Sequence, residues 1–594
     1  MHHERWLGPY FRSSFPVAGY KAWKGTSCPE LCPSVSQDHH DSHLRVTMIP
    51  SLGHVALFLA AAGGSSAQAL PVIDLGKSVH RAQLNATGGY YTFKNIPYAE
   101  PPLGNLRFRH PVPLVSTNRT IDDGTAPRSC YQQPAPWFQY TIPGVIQKLI
   151  EGGIIPPAGP PPAPPAGQSE DCLVLDVTVP KAVYDAQAAG RLTKPVPVMV
   201  WIHGGGYIEG SKDQMNPAGL LAESRKNGAP GVIWVAINYR LGLFGFPPRK
   251  PTMIDVASNA GLYDQRLALE WVRFNIRRFG GNPLSVTVIG ESAGAGAIVT
   301  QLTAFGGIDG TSPFQRAIIQ SPYIKPAEDA ASYSALYDTF LATGNVTSYT
   351  QARSLSSAQL TSINTAMIGA APASSTVFAP NVDGLFIPSL PSSLLLASKV
   401  DSTVDVIVAH NLDEGLVFAD TRISSDADFR AALAGWMPSL PQSKINTLAS
   451  QIYPPDFSGT QPYSSHADRA RVAVGEAFMD CVSFGVNVAY KNTSRSYVFA
   501  IWPGIHAQDL DYTFYNGQTM SGLGIPVVRS VAERMQRWFV DWVVRGDAVG
   551  SAARDVPVYT AEARVVNITG EGYPIVRDPA ANERCRFWLE GLTA

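Results

Sequence analysis

Ser292 stands in Gly290-Glu291-Ser292-Ala293-Gly294, after the short apolar run 286–289 and before a small-residue segment that continues through Val299. The run reads as a buried parallel strand and the segment after it as a helix. Strand, tight turn and helix is the context that gives Gly-x-Ser-x-Gly a chemical meaning. Gly290 and Gly294 remove side chains where strand and helix pass closely, so a strained serine can be presented at the tip. The new helix points its N-terminal dipole at the same place and favours an oxyanion there. A serine hydroxyl is a poor nucleophile at neutral pH; it needs a base, an acid to orient the base, and donors for the oxyanion. The pentapeptide alone reads equally well as a plain glycine-rich turn.

The donors have a candidate source upstream. His203-Gly204-Gly205-Gly206-Tyr207 follows the apolar run 198–202 directly. A glycine triplet by itself is a flexible turn. Paired with Gly-x-Ser-x-Gly downstream it reads as an oxyanion loop, with the N–H groups of Gly205, Gly206 and Ala293 as donors.

These residues need elements to hold them. Residues 72–76 and 90–99 alternate enough to be antiparallel strands. Between Cys130 and Cys172 lie an amphipathic helix at 145–150 and a proline tract at 156–165, which can only be extended. From Leu173 onward the pattern becomes strands at 173–179, 196–202 and 231–237, then a helix at 264–278 and the nucleophile strand. Strands at 317–320 and 404–409 and a helix at 532–544 follow. Strand–helix alternation over this length predicts an α/β fold with a mostly parallel sheet.

Several ordered stretches then carry a family resemblance: Ile96-Pro-Tyr-Ala-Glu-Pro-Pro, Ser169-Glu-Asp-Cys-Leu-Val-Leu-Asp, Trp201-Ile-His-Gly-Gly-Gly-Tyr, Asn238-Tyr-Arg-Leu-Gly-Leu-Phe-Gly-Phe and Gly261-Leu-Tyr-Asp-Gln-Arg-Leu-Ala-Leu-Glu-Trp-Val. From residue 72 to 588 the chain resembles the type-B carboxylesterase/lipase family, the cholinesterase-like α/β hydrolases. The resemblance implies the α/β-hydrolase fold and hydrolysis of a small-molecule carboxylic ester through an acyl-enzyme, without a metal or organic cofactor. It assigns Glu414, in Asn411-Leu-Asp-Glu-Gly415, as the acid; by residue chemistry Asp413 is nearly as good, and the family match alone separates them. It assigns His506, in Pro503-Gly-Ile-His-Ala-Gln-Asp-Leu, as the base, leaving His203 and His410 as structural histidines. The order Ser292, Glu414, His506 is that of the fold. The family's first disulfide implies Cys130 with Cys172, and Cys481 and Cys585, the two left, are paired with each other. Ser321 resembles a serine near the triad, but Pro322 follows where relatives often have glycine, so its role stays open. Trp137 and Phe138 read as lid or gorge-wall residues. The cholinesterase tryptophan that holds a quaternary ammonium, about ten residues before the second cysteine, has no counterpart in the stretch 160–166, which predicts neutral esters as substrates. Two alternatives stand beside this reading: a lipase or sterol esterase working at an interface, and a non-catalytic adhesion member of the same fold.

Composition bounds the setting. The chain has 594 residues, 16% of them charged, with a formal net charge of −1, which gives no reason to expect nucleic acid or an anionic membrane as partner. Residues 48–69 hold an apolar run too short to span a bilayer and end in a small-x-small pattern. They predict a signal peptide cut after Ala69, translation from Met48, and a disordered or spurious extension at 1–47; the alternative is a disordered tail on a cytosolic protein. Sequons at Asn85, Asn118, Asn345, Asn492 and Asn567 predict glycosylation of a secreted protein. Residues 589–594 carry no apolar tail or retention signal, so no stable membrane anchor is expected. The oligomeric state is not legible.

Overall fold

The computed structural model describes residues 69–156, 165–325, 330–518 and 523–591. The leader reading, Ala69 apart, and residues 157–164 of the proline tract lie outside the described residues.

One sheet holds β1 (Gln83–Asn85), β2 (Tyr90–Pro97), β3 (Val174–Pro180), β4 (Val196–Ile202), β5 (Ile233–Ile237), β6 (Gly281–Glu291), β7 (Arg316–Gln320), β8 (Asp405–Asn411), β9 (Arg495–Phe499), β10 (Arg564–Ile568) and β11 (Ile575–Arg577). Their order is β11-β10-β9-β8-β7-β6-β4-β5-β3-β2-β1. Every neighbouring pair from β5 to β10 is parallel. The two ends of the sheet are antiparallel, through β3, β2 and β1 on one side and β11 on the other. The sheet is therefore mostly parallel, and β6 lies well inside it.

Side chains alternate across a strand, so each buried strand feeds two cores. On one face Val198, Val200 and Ile202 of β4 join Val288 of β6 and Val406 and Val408 of β8. On the other, Met199 and Trp201 join Ile289, Ile318, Ile407 and Tyr497. Four helices matter for the site: α1 (Phe138–Glu151), α2 (Ala260–Asn275), α3 (Ala293–Thr303) and α4 (Arg529–Arg545). α2 and α3 cover the first face, through residues such as Leu269, Val272, Ile298 and Leu302. α4 covers the second with Val531, Met535, Trp538, Phe539 and Trp542. Burying each such side chain contributes roughly 1.5–3 kcal/mol before entropy is counted, so two covered faces give the site a stiff base.

Helix α1 is longer than the sequence pattern suggested. It starts at Phe138, seven residues ahead of Val145, and carries Pro143 inside it. Val145 and Leu149 pack on Ile505 and Ile525, with Leu416 and Val417 against the same cluster. Ile142, Ile146 and Ile150 lie on another stripe of the helix and are 38%, 39% and 57% exposed. Cys130–Cys172 and Cys481–Cys585 both form disulfides, and the first closes the loop that bears α1. Among the sequons, Asn85, Asn118, Asn345 and Asn492 are exposed and Asn567 is half-buried.

Candidate active site

β6 ends at Glu291 and α3 begins at Ala293, which leaves Ser292 as the hinge between them. Its backbone has φ 55° and ψ −124°, a conformation that costs a non-glycine residue energy and persists only where neighbours enforce it. The enforcing contacts are visible. Ser292 N–H donates to Gln320 O at 3.0 Å, and Ser292 O accepts from Gly296 N–H and Tyr323 N–H, both at 2.9 Å. Gly294 is obligatory for a second reason: a Cβ there would lie 2.0 Å from Ile202 O, the end of β4. Strand, elbow and oxyanion loop thus touch through backbone alone.

The loop after β4 turns sharply. The N–H groups of Ile208 and Glu209 both donate to Gly205 O at 3.0 Å, and Gly205 has φ 101°, with Glu209 O only 2.3 Å from where its Cβ would stand. Among the described residues no backbone or side-chain acceptor takes the N–H groups of Gly205, Gly206 or Ala293. Those are the three N–H groups expected from the sequence to face an oxyanion.

His506 follows β9 and Glu414 opens a short 3₁₀ turn after β8. His506 Nδ1 lies 2.5 Å from Glu414 Oε2. The residue chemistry had left Asp413 open as the acid; in the structure Asp413 Oδ1 is instead 2.7 Å from Arg471 Nη1. Burial works to raise the Glu414 carboxyl, but the His506 charge and hydrogen bond, the Ser321 hydroxyl and the Asn411 N–H outweigh it and hold the group below its usual range. Ser321 thus stands beside the acid. Ser292 Oγ makes no hydrogen bond among the described residues. Such bonds are often long or misaligned without substrate.

Two acidic neighbours escaped the sequence reading. Glu291 Oε1 lies 3.1 Å from His506 Nε2, yet accepts no hydrogen bond among the described residues, so the contact is one of charge. Burial pushes Glu291 up to about 8, against the pull of His506. Burial also opposes charge on His506, but Glu291 and Glu414 overcome it, with Asp509 adding to them, and push the imidazole up to about 9. Asp509 is buried, accepts from Gln320 Nε2 at 2.7 Å and Tyr497 Oη at 3.2 Å, and is pushed up to about 6, by burial first and the Glu414 charge second. Glu291 could have been noticed as the one charged side chain ending an apolar strand. Asp509, three residues after His506, carried no comparable signal.

The wall beside the imidazole is aromatic. Phe418 meets the His506 ring edge-on with centroids 5.0 Å apart, and Trp137 lies 6.3 Å from Phe418. Trp137 stacks at a tilt on Phe138, 4.3 Å away, and donates from Nε1 to Ser375 O at 2.9 Å. His203 has a structural place: it stacks on Tyr239, and burial holds it down to about 4, so it is neutral. His410 is locked between Asp578 at 3.1 Å and Asp480 at 3.4 Å.

The sequence profile of the Carboxylesterase family matches residues 75–588. The chain is 38% identical over 556 residues to "Carboxylesterase patB" of Aspergillus clavatus, covering 90% of this chain and 98% of that one. It is 32% identical over 391 residues to "Lipase 4" of Diutina rugosa, covering 63% of this chain and 68% of the relative. The crystal structure of Aspergillus niger EstA matches the fold with a TM-score of 0.71 at 24% identity, over 88% of this chain and 98% of that one. The sheet order, the covered faces and these likenesses give the α/β-hydrolase fold. Within that fold the match over nearly the whole described chain decides the family: this protein belongs to the carboxylesterases and is a carboxylic ester hydrolase.

Proposed function

We propose that the protein is a secreted serine carboxylesterase that cleaves neutral carboxylic esters through an acyl-enzyme. The observation that carries the proposal is the 2.5 Å contact between His506 Nδ1 and Glu414, beside a serine held at φ 55° on the tip of the elbow. His506 Nε2 takes the proton of Ser292 Oγ as that oxygen attacks the ester carbonyl. The tetrahedral oxyanion is held by the N–H groups of Gly205, Gly206 and Ala293, each such donor worth roughly 10²–10³-fold in rate. The imidazolium then gives its proton to the leaving alcohol, and a serine ester remains. Water adds to that ester with the same histidine as base and releases the acid. Glu414 orients the imidazole and stabilises its cationic form.

The neutral-ester reading is supported by the residues ahead of Cys172, which offer no ring for a cation–π contact. It is tested by kcat/KM for a choline ester against its uncharged isostere with the same acyl group; a strong choline preference refutes it. Ser292→Ala tests the mechanism, with an expected loss of roughly 10⁶ in kcat. Substantial turnover by that variant refutes the triad.

Secretion is supported by two disulfides, by the exposed sequons, and by relatives with names such as "Secreted lipase 1" of Botryotinia fuckeliana. Material from the medium is expected to begin at or near Leu70 and to lose mass on deglycosylation. An intact Met1 on unglycosylated intracellular protein would overturn it.

One observation favours a lipase as second reading: the exposed row Ile142, Ile146 and Ile150 on α1, the helix that packs beside His506 and Glu414. A sharp rise in rate when a lipid substrate passes its solubility limit would select it.

A further inference from the structure

We infer that Asn411 is a positioning residue that locks the acid turn to the base loop; the inference rests on the assignment of Glu414 and His506 above. Asn411 ends β8 and is fully buried. Its backbone N–H donates to Glu414 Oε1 at 2.5 Å. Its side-chain Nδ2 donates to Ile505 O at 2.8 Å, on the residue just before His506. Since Glu414 Oε2 meets His506 Nδ1, these three contacts and the peptide bond between Ile505 and His506 close a ring: Asn411 backbone, Glu414, His506, Ile505 and back to the Asn411 side chain. One residue therefore fixes both the carboxylate and the backbone that carries the imidazole.

The choice of side chain follows from the surroundings. Nδ2 also lies 3.5 Å from Asp509 Oδ1, and Glu414 is adjacent, so a donor is needed and a further negative charge would be repelled. A carboxamide supplies the donor without a charge. An aspartate of the same shape would face the Ile505 carbonyl with an oxygen and add a third carboxylate beside Glu414 and Asp509. A leucine would fill the space and leave the Ile505 carbonyl without this donor.

Removal of the carboxamide should loosen the ring rather than unfold the chain. The backbone N–H of position 411 keeps its bond to Glu414, and Asp413 N–H still donates to Gly504 O at 2.8 Å. Displacements on the order of 1 Å in such a relay can cost about 10²-fold in rate.

The experiment compares Asn411→Leu, Asn411→Asp, Ser292→Ala and Asn487→Leu, the last a buried asparagine whose side chain bonds Ser494 and Ser496. The readouts are kcat and KM on a soluble neutral ester, the rate of inactivation by a fluorophosphonate, and the unfolding midpoint. Asn411→Leu is expected to lose roughly 10–100-fold in kcat and in fluorophosphonate rate with KM nearly unchanged, and Asn411→Asp to lose at least as much. Asn487→Leu should lower the midpoint while kcat stays near wild type. Full activity in Asn411→Leu, or an equal kcat loss in Asn487→Leu at matched destabilisation, overturns the positioning role. If Asn411→Leu fails to fold, the Asn411→Asp result alone decides by the same criterion. Activity retained by Ser292→Ala would instead sink the triad on which the inference rests.

Discussion

Glu291 Oε1 lies 3.1 Å from His506 Nε2, while Glu414 holds Nδ1, so the imidazole has a carboxyl group at each ring nitrogen. Both acids favour the protonated ring, and their pull exceeds the effect of burial. A general base must be neutral to accept the serine proton. In the proposed mechanism the resting imidazole is therefore biased toward its protonated form.

The acid limb of kcat/KM is thus expected above the ordinary imidazole value of 6.5. Glu291→Gln removes a charge that raises the His506 value, so the limb should move to lower pH. Steady-state rates from mildly acidic to alkaline buffers check this. A limb that stays in place or moves up would mean Glu291 is neutral throughout and contributes nothing to the field at His506.

Glu414→Gln and Asp413→Asn separate the two adjacent acids. The first is expected to cost roughly 10³–10⁴ in kcat, as loss of an orienting acid does. The second breaks the ion pair with Arg471 and should leave kcat close to wild type. A larger loss from Asp413→Asn would reverse the assignment.

Gly294→Ala places a methyl group 2.0 Å from Ile202 O. Because the obstructing atom is backbone in the middle of the sheet, it has no rotamer to retreat to. Overpacking of this kind costs roughly 1–3 kcal/mol, and equilibrium unfolding in urea should register it together with a drop in kcat. Wild-type stability in this variant would show that strand β4 and helix α3 are not in backbone contact.

His410 gives a pH-dependent contribution to stability. Burial opposes its charge, but Asp578 and Asp480 outweigh it and push the group up to about 10 from an ordinary 6.5. A value raised in the folded state stabilises fully below the unfolded value and is lost as pH rises through the folded one. Asp578→Asn breaks the buried pair, which costs roughly 3–5 kcal/mol. Its deficit against wild type should be largest at and below neutral pH and shrink as pH climbs toward about 10. A deficit independent of pH would mean that His410 is neutral in the fold.

What could be read from the chain was the local part. The strand 286–289, the glycines around Ser292 and the triplet after β4 all signal their structure within a few residues, and each is where the sequence placed it. The apolar pattern marks a helix only at 145–150; α1 begins at Phe138 and runs through Pro143 and Gly144, where a Cβ on Gly144 would meet Thr421. The ion pair of Asp413 with Arg471, far along the chain, had no local signal. Phe418 and Asp509 reach His506 only because β8 and β9 are neighbours, a fact that no local pattern of residues 405–418 or 495–509 contains. Long-range placement, rather than residue type, was the missing quantity.

The lock on His410 ties the site to the far end of the chain. Asp578 also accepts from Tyr559 Oη and Ala580 N–H, and seven residues later Cys585 closes the disulfide with Cys481. A polypeptide still being synthesised, or one clipped by a protease ahead of Asp578, lacks one of the two acids that face His410, the residue directly before Asn411. The surroundings of His410, next to the end of β8, are thus completed only by residues that follow β11 in the chain.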